Sequence, residues 1–236
     1  MIEIKNISKQ FGKLQALQNV NLQLHKGECI ALIGPNGCGK TTLIKSILGM
    51  VIPSEGEIIF DGTSIKNNNE YRRRIGYMPQ IGRYPENMNI GQVLDMIKGI
   101  RHVNEELDEE LYQQFELQKM LSKKMRTLSG GTTQKVSATL AFMFRPAVLI
   151  LDEPTAGLDP IAALTLKEKI LAAKNQGCLI LITSHLLSEL EDIVSQVIFM
   201  QEGKLILHKN VQELKAATRQ ESIAKAIVHL LKSEKI

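Results

Sequence analysis

Long apolar runs are missing from this 236-residue chain. Its most hydrophobic stretches, Ile30–Ile33, Ala147–Leu151, Leu179–Ile182 and Val197–Met200, fall far short of the roughly 20 residues that a membrane-spanning helix needs. Cysteine is scarce. Cys29, Cys38 and Cys178 stand singly, with no Cys-x-x-Cys and no histidines paired at ligand spacing, which excludes a zinc site or a disulfide framework. Net charge is only +4, too slight to imply nucleic acid. The basic cluster Arg72-Arg73-Arg74 and the basic tail read as solvated faces. The first residues, Met-Ile-Glu-Ile-Lys, lack the charged-then-apolar layout of a signal peptide. There is no internal repeat and no low-complexity segment. The expectation is a soluble, cytoplasmic chain, whose 44% hydrophobic content suffices for a packed core.

What is present is ordered. The first sixty residues alternate as strands do, at Ile2–Lys5, Val20–Leu24 and Glu57–Phe60, with turn signals at Lys26-Gly27 and Asp61-Gly62. An all-apolar strand, Cys29–Ile33, runs directly into a glycine-rich loop. After it, Leu43, Ile44, Ile47 and Leu48 share one helix face that Gly49 can end. From about Pro85 to Phe144 the pattern becomes helical, with an apolar stripe at Val93, Leu94, Ile97 and Ile100 and packing positions at Val136, Leu140 and Phe144. Glu105–Glu110, five acids in six residues, reads as a solvated helix start. Apolar strands return at Ala147–Leu151 and Leu179–Ile182, with a helix around Leu164–Ala173 between them. Alternating strands and helices with fully apolar strands predict a parallel sheet covered on both faces, into which the helical stretch is inserted. Beyond Val211, the spacing of Ile223, Ile227, Leu230 and Leu231 predicts one more helix.

Chemistry is concentrated at the strand ends. Gly34-Pro35-Asn36-Gly37-Cys38-Gly39-Lys40-Thr41 follows a strand and opens a helix, the setting in which glycines let backbone N–H groups wrap phosphates. Lys40 would reach the β- and γ-phosphates, and the Thr41 hydroxyl would bind Mg²⁺. Val148–Leu151 ends in Asp152 and Glu153, two adjacent acids that would repel without a cation. Asp152 is the candidate metal ligand, and Glu153 the candidate group to orient or deprotonate an attacking water. His185 follows the Leu179–Thr183 strand and so ends on the same side as Asp152, within reach of the same phosphates. Gln80 follows Ile75–Met78 and can touch Mg²⁺ or water.

Together these residues resemble the ATP-binding cassette family, the nucleotide-binding subunits of ABC transporters, over roughly residues 2–210. Gly34–Thr41, with Thr42 beside it, is similar to Walker A, Gln80 to the Q-loop and Leu128-Ser129-Gly130-Gly131 to the signature. Val148–Glu153 is similar to Walker B, Ala156-Gly157-Leu158-Asp159 to the D-loop and His185 to the switch histidine. Phe11 matches the family's adenine-stacking aromatic, with a core aromatic as the alternative. The resemblance implies an α/β P-loop NTPase (RecA-like) core with a predominantly parallel sheet, an N-terminal antiparallel β-subdomain and an inserted α-helical subdomain at about 85–146. An ATPase domain would span 1–210, followed by a helical tail over 211–236. One departure is that Thr132-Thr133-Gln134 follows the glycines, where the family commonly has Gln or another polar residue and then Arg or Lys before Gln.

The resemblance also implies ATP and Mg²⁺ as cofactors and a head-to-tail pair of cassettes, with a homodimer favoured because both half-sites are filled and a heterodimer with one weakened site as the alternative. Ser129, Gly130 and Gly131 of one copy would cap the nucleotide held by Lys40 and Thr41 of the other. A separate multi-pass permease, at the cytoplasmic face of the plasma membrane, would dock near Gln80 and residues 83–100, with Tyr84, Pro85 and Met88 as contacts. Nucleic acid is not expected. At finer grain, Leu128–Phe142 and Thr183–Glu191 resemble the ATPase of the copper-associated exporter that matures nitrous oxide reductase. ABC-2 type exporters of lipids, drugs or polysaccharides stand as the alternative. A soluble ATPase acting on ribosomes or DNA fits less well, because the chain has one cassette and no heptad insertion. A non-hydrolysing regulatory module is opposed by Glu153 and His185. Cys38, a thiol beside a helix N-terminus, could be a redox switch, although a single Cys is a poor copper site.

Overall fold

The computed structural model describes residues 1–101, 106–184, 188 and 190–233. Strands β1 (Ile2–Phe11) and β2 (Leu14–Leu24) form a hairpin around Gly12-Lys13, longer than the alternation alone indicated. On the other edge of β1 lies β4 (Glu55–Phe60), followed by β5 (Thr63–Ser64). This gives an antiparallel sheet in the order β2-β1-β4-β5. The predicted turn at Asp61-Gly62 joins β4 to β5 with both residues at positive φ, 46° and 80°, the pairing that tight hairpin turns require.

The second sheet has the order β10-β9-β3-β8-β7-β6. Its members are β3 (Cys29–Ile33), β6 (Ile75–Met78), β7 (Val148–Asp152), β8 (Leu179–Thr183), β9 (Gln196–Gln201) and β10 (Lys204–Asn210). Every pairing is parallel except that of β10 with β9. All residues of β3 and β8 are buried, as expected of strands covered on both faces. Ile30, Leu32, Val148, Ile150, Leu179 and Leu181 face helix α1 (Lys40–Ile47) and the antiparallel sheet. Cys29, Ala31, Ile33, Leu149, Leu151, Ile180 and Ile182 face the remaining helices. Each buried Leu or Ile contributes about 1.5–3 kcal/mol of transfer free energy, so the strand ends are held by the most densely apolar part of the chain.

Between β6 and β7 the chain makes helices α2 (Ile90–Arg101), α3 (Glu110–Gln114) and α4 (Gly130–Phe142). Val93, Leu94 and Val136 are buried as expected, but Ile100, at the end of the predicted stripe, is 64% exposed. Helix α5 (Pro160–Asn175) follows β7 and packs in the same core cluster. The acidic run does start a helix, α3 at Glu110, but it is not solvated throughout. Glu105 lies outside the described residues, but Asp108 and Glu110 both accept from Lys169 Nζ on α5, at 2.6 Å each. Lys169 has only 9% of its side chain exposed. Burial pushes its pKa down, and the hydrogen bonds and charges of the two carboxylates more than reverse this, leaving it raised. The run therefore ties the insertion to the core.

The basic cluster is also occupied within the chain. Arg74 pairs with Asp61 at 2.7 Å, Arg73 with Glu70 at 3.3 Å, and Arg72 donates to the Gly49 carbonyl at 2.9 Å. The tail forms two helices where one was expected, α6 (Val211–Thr218) and α7 (Ile223–Ser233), because Arg219 turns left-handed (φ 54°) and stops the first. Glu191 holds the pair, accepting from Lys215 Nζ at 2.9 Å and from the Ile223 N–H at 3.0 Å. Ile223, Ala226 and Ile227 are buried against the core. No helix among the described residues is long and apolar enough to cross a membrane.

Candidate nucleotide site

The loop between β3 and α1 is set by its close approach to the antiparallel sheet. Gly39 caps α1 at φ 108°, and a Cβ there would sit 2.5 Å from the Ala16 carbonyl oxygen, so both backbone and space demand glycine. Asn36, Gly37, Gly39, Lys40, Thr41 and Thr42 line a cleft of about 490 Å³ at the N-terminus of α1. Unpaired N–H groups and the helix dipole make that end favourable for phosphate. Lys40 Nζ donates to the carbonyls of Gly34 (2.7 Å) and Pro35 (3.1 Å). Gly34 and Pro35 thus act through their carbonyls. Cys38 differs most from the sequence reading: its N–H donates to the Pro35 carbonyl at 3.2 Å, and its thiol is 3% exposed, packed in the core cluster that holds Leu43 and Met200. A thiol so enclosed is a poor redox switch. In the other two cysteines, Cys29 and Cys178, burial pushes the thiols up to about 12.

The opposite wall carries the two acids. Asp152 ends β7 and accepts from the Thr183 hydroxyl at the end of β8. The same hydroxyl accepts the Glu153 N–H at 3.1 Å, so one buried side chain fixes both acids. Glu153 lies at φ 53°, a left-handed conformation that costs a non-glycine residue about 1–2 kcal/mol. Such strain is typical of functional positions. Sequence reading missed Thr183, whose only signal is a hydroxyl at the end of an otherwise apolar strand. It missed the Glu153 conformation altogether, since nothing in the neighbouring residues encodes it.

Gln80 lines this cleft together with Asp152 and Glu153. Phe11 lies at its edge with Leu14 and Ala16, 47% exposed and with Lys9 Nζ 5.0 Å from its ring centre, so it is not a core aromatic. Ser129, Gly130 and Gly131 do not line the cleft. Ser129 caps α4, accepting from the Thr132 N–H at 3.2 Å, and Ser129 and Gly130 are exposed. Behind them Lys135 Nζ pairs with Asp159 Oδ2 at 2.7 Å. That hydrogen bond, with one from the Ala162 N–H that Asp159 accepts as the cap of α5, holds the Asp159 carboxyl below its ordinary value. His185 lies outside the described residues. Of the expected docking contacts, Tyr84 and Met88 are half-buried against the core, whereas Pro85 is exposed.

A family model described as "ABC transporter" matches residues 17–156, more than half of the chain. The chain belongs to the ABC transporter family. This ABC cassette is similar to the lantibiotic transport ATP-binding protein SrtF of Streptococcus pyogenes, 35% identical over 220 residues that cover 91% of this chain and 95% of the relative. It is also similar to the ABC transporter ATP-binding protein YtrB of Bacillus subtilis, 33% identical over 222 residues, 91% of this chain and 74% of the relative. A solved ATP-binding subunit of an ABC transporter superposes with a TM-score of 0.90 at 29% identity, covering 98% of this chain and 99% of that one. The protein is an ATP-binding subunit of this family and an ATPase, with the α/β architecture and helical insertion expected of it.

Proposed function

We propose that this ABC cassette hydrolyses ATP between two copies of itself and drives export through a separate multi-pass permease. One observation carries the reading. The phosphate loop, Asp152, Glu153 and Gln80 share one cleft, while the capped end of α4 at Ser129 stands exposed outside it. A site whose parts are divided in this way is completed by a second copy placed head to tail. Residues 1–210 would form the ATPase unit and 211–236 an added tail.

In the cleft, Lys40 and the N–H groups that open α1 would hold the β- and γ-phosphates, and Phe11 would stack on adenine. Thr41, Asp152 and Gln80 offer a hydroxyl, a carboxylate and an amide oxygen, hard donors that suit Mg²⁺. Among the described residues no three His, Cys, Asp or Glu side chains gather to hold a metal, so phosphate oxygens would complete the coordination. A cation there would neutralise charge on the transferring phosphoryl group. Glu153 would orient the attacking water and accept its proton, with His185 against the γ-phosphate. Ser129, Gly130 and Gly131 of the partner copy would add a hydroxyl and a helix N-terminus to that phosphate when the dimer closes.

The permease would place the cassette at the cytoplasmic face of the plasma membrane. Transport is favoured by the likeness to SrtF, whose name describes lantibiotic transport, and export by the resemblance of Leu128–Phe142 and Thr183–Glu191 to an exporter ATPase. A cargo for copper-enzyme assembly rests on the two short segments alone. The test is purification of the tagged Glu153→Gln chain from native membranes with ATP, with the co-purifying proteins identified. A multi-pass membrane protein is expected; ribosomes or nucleic acid in its place would overturn the transport reading.

A further inference from the structure

Gln134 lies in the first turns of α4, in the segment where this chain departs from the usual signature, and is 6% exposed. Its amide Nε2 donates to the backbone carbonyl of Gln80 at 3.0 Å. Its Oε1 is fully buried and has no hydrogen-bond partner among the described residues. One turn further along the same helix face, Ser137 Oγ is bonded to the Tyr84 hydroxyl at 2.9 Å. Between these two ties, Gly82 presses so closely on α4 that a Cβ would come within 2.3 Å of Ser137 Oγ. Residues 80–84 are therefore fastened along the flank of the helix whose tip carries Ser129.

Stability does not explain the amide. A buried acceptor without a partner is unfavourable, and a methionine of similar volume would fill the space without it. What an apolar side chain cannot supply is the hydrogen bond that fixes the Gln80 backbone. We infer that Gln134 is a positioning residue: its hydrogen bond to the Gln80 carbonyl sets Gln80 in register with the cleft. The inference rests on the proposed role of Gln80 at the metal.

The test compares Gln134→Met, Gln80→Ala and the double variant, measuring kcat, KM for ATP, the Mg²⁺ concentration for half-maximal rate, and Tm. For Gln134→Met the expected result is an unchanged or raised Tm, KM within about twofold, kcat lowered about tenfold and a higher Mg²⁺ requirement. The double variant should be no worse than Gln80→Ala, because Gln134 acts through Gln80. A normal Gln134→Met beside an impaired Gln80→Ala would overturn the inference alone, as would additive losses in the double variant. An unaffected Gln80→Ala would overturn the reading of Gln80 and this inference with it. Should Gln134→Met fold poorly, Tyr84→Phe carries the test. It keeps the ring and removes one tie, so a change of the same kind, about twofold, is expected, and none would count against the inference.

Discussion

In the cleft, Asp152 and Glu153 stand at the end of β7 and are braced by Thr183, and Lys40 opens α1 and is braced by the Gly34 and Pro35 carbonyls. At the tip of α4, Ser129 and Gly130 are exposed and fixed by a cap and, behind it, by the Lys135–Asp159 pair. The first region gains its geometry from the core. The second gains it from a helix cap and from one ion pair between Lys135 and the exposed Asp159. Under the proposed two-copy arrangement, a half built into the core and a half fixed at the surface let closure change one wall without rebuilding the other.

The largest effect is expected in the half built into the core. Glu153→Gln should lower hydrolysis by about 10²–10⁴-fold with ATP binding retained, measured by phosphate release and nucleotide titration. Ser129→Arg should break the comparison from the other side. ATP binding by the single chain is expected to stay within about twofold, while kcat falls by about 10²-fold or more. Loss of binding in the isolated Ser129→Arg chain would show that the tip belongs to its own cleft.

Much of this was legible in the sequence and some of it was not, for a physical reason. Cys29–Ile33 and Leu179–Thr183 announce themselves because a strand buried on both faces is apolar throughout, and the phosphate loop because glycine spacing is local. The Lys169 ties to Asp108 and Glu110, the double role of Thr183 and the Gln134–Gln80 bond join residues far apart in the chain, so no window of sequence contains them. The apolar spacing from Ile223 onward predicts a single helix in the tail, whereas the break before it depends on the single left-handed residue Arg219. The left-handed backbone of Glu153 is invisible for the same reason, as a residue type that normally avoids it is held there by tertiary hydrogen bonds.

Two smaller effects sharpen the contrast between core-built and locally built parts. Lys169→Met would strand Asp108 and Glu110 at the joint between insertion and core. A cost of about 2 kcal/mol is expected, below the value for a fully buried pair because Glu110 is half exposed, or about 4–8 °C in Tm by calorimetry. Glu153→Gly should be more stable than Glu153→Ala by about 1 kcal/mol in denaturant unfolding, because only glycine relieves the left-handed strain. Equal stabilities would mean that the backbone there is not strained.

The central claim is that the cleft of one copy is closed by Ser129, Gly130 and Gly131 of another. It is tested most directly by the solution mass, from light scattering after size exclusion, of Glu153→Gln with ATP and Mg²⁺ beside the same chain carrying Ser129→Arg as well. The account predicts twice the chain mass for the first and the single-chain mass for the second. A Glu153→Gln chain that stays at single-chain mass with ATP bound, or a dimer indifferent to Ser129→Arg, would contradict it.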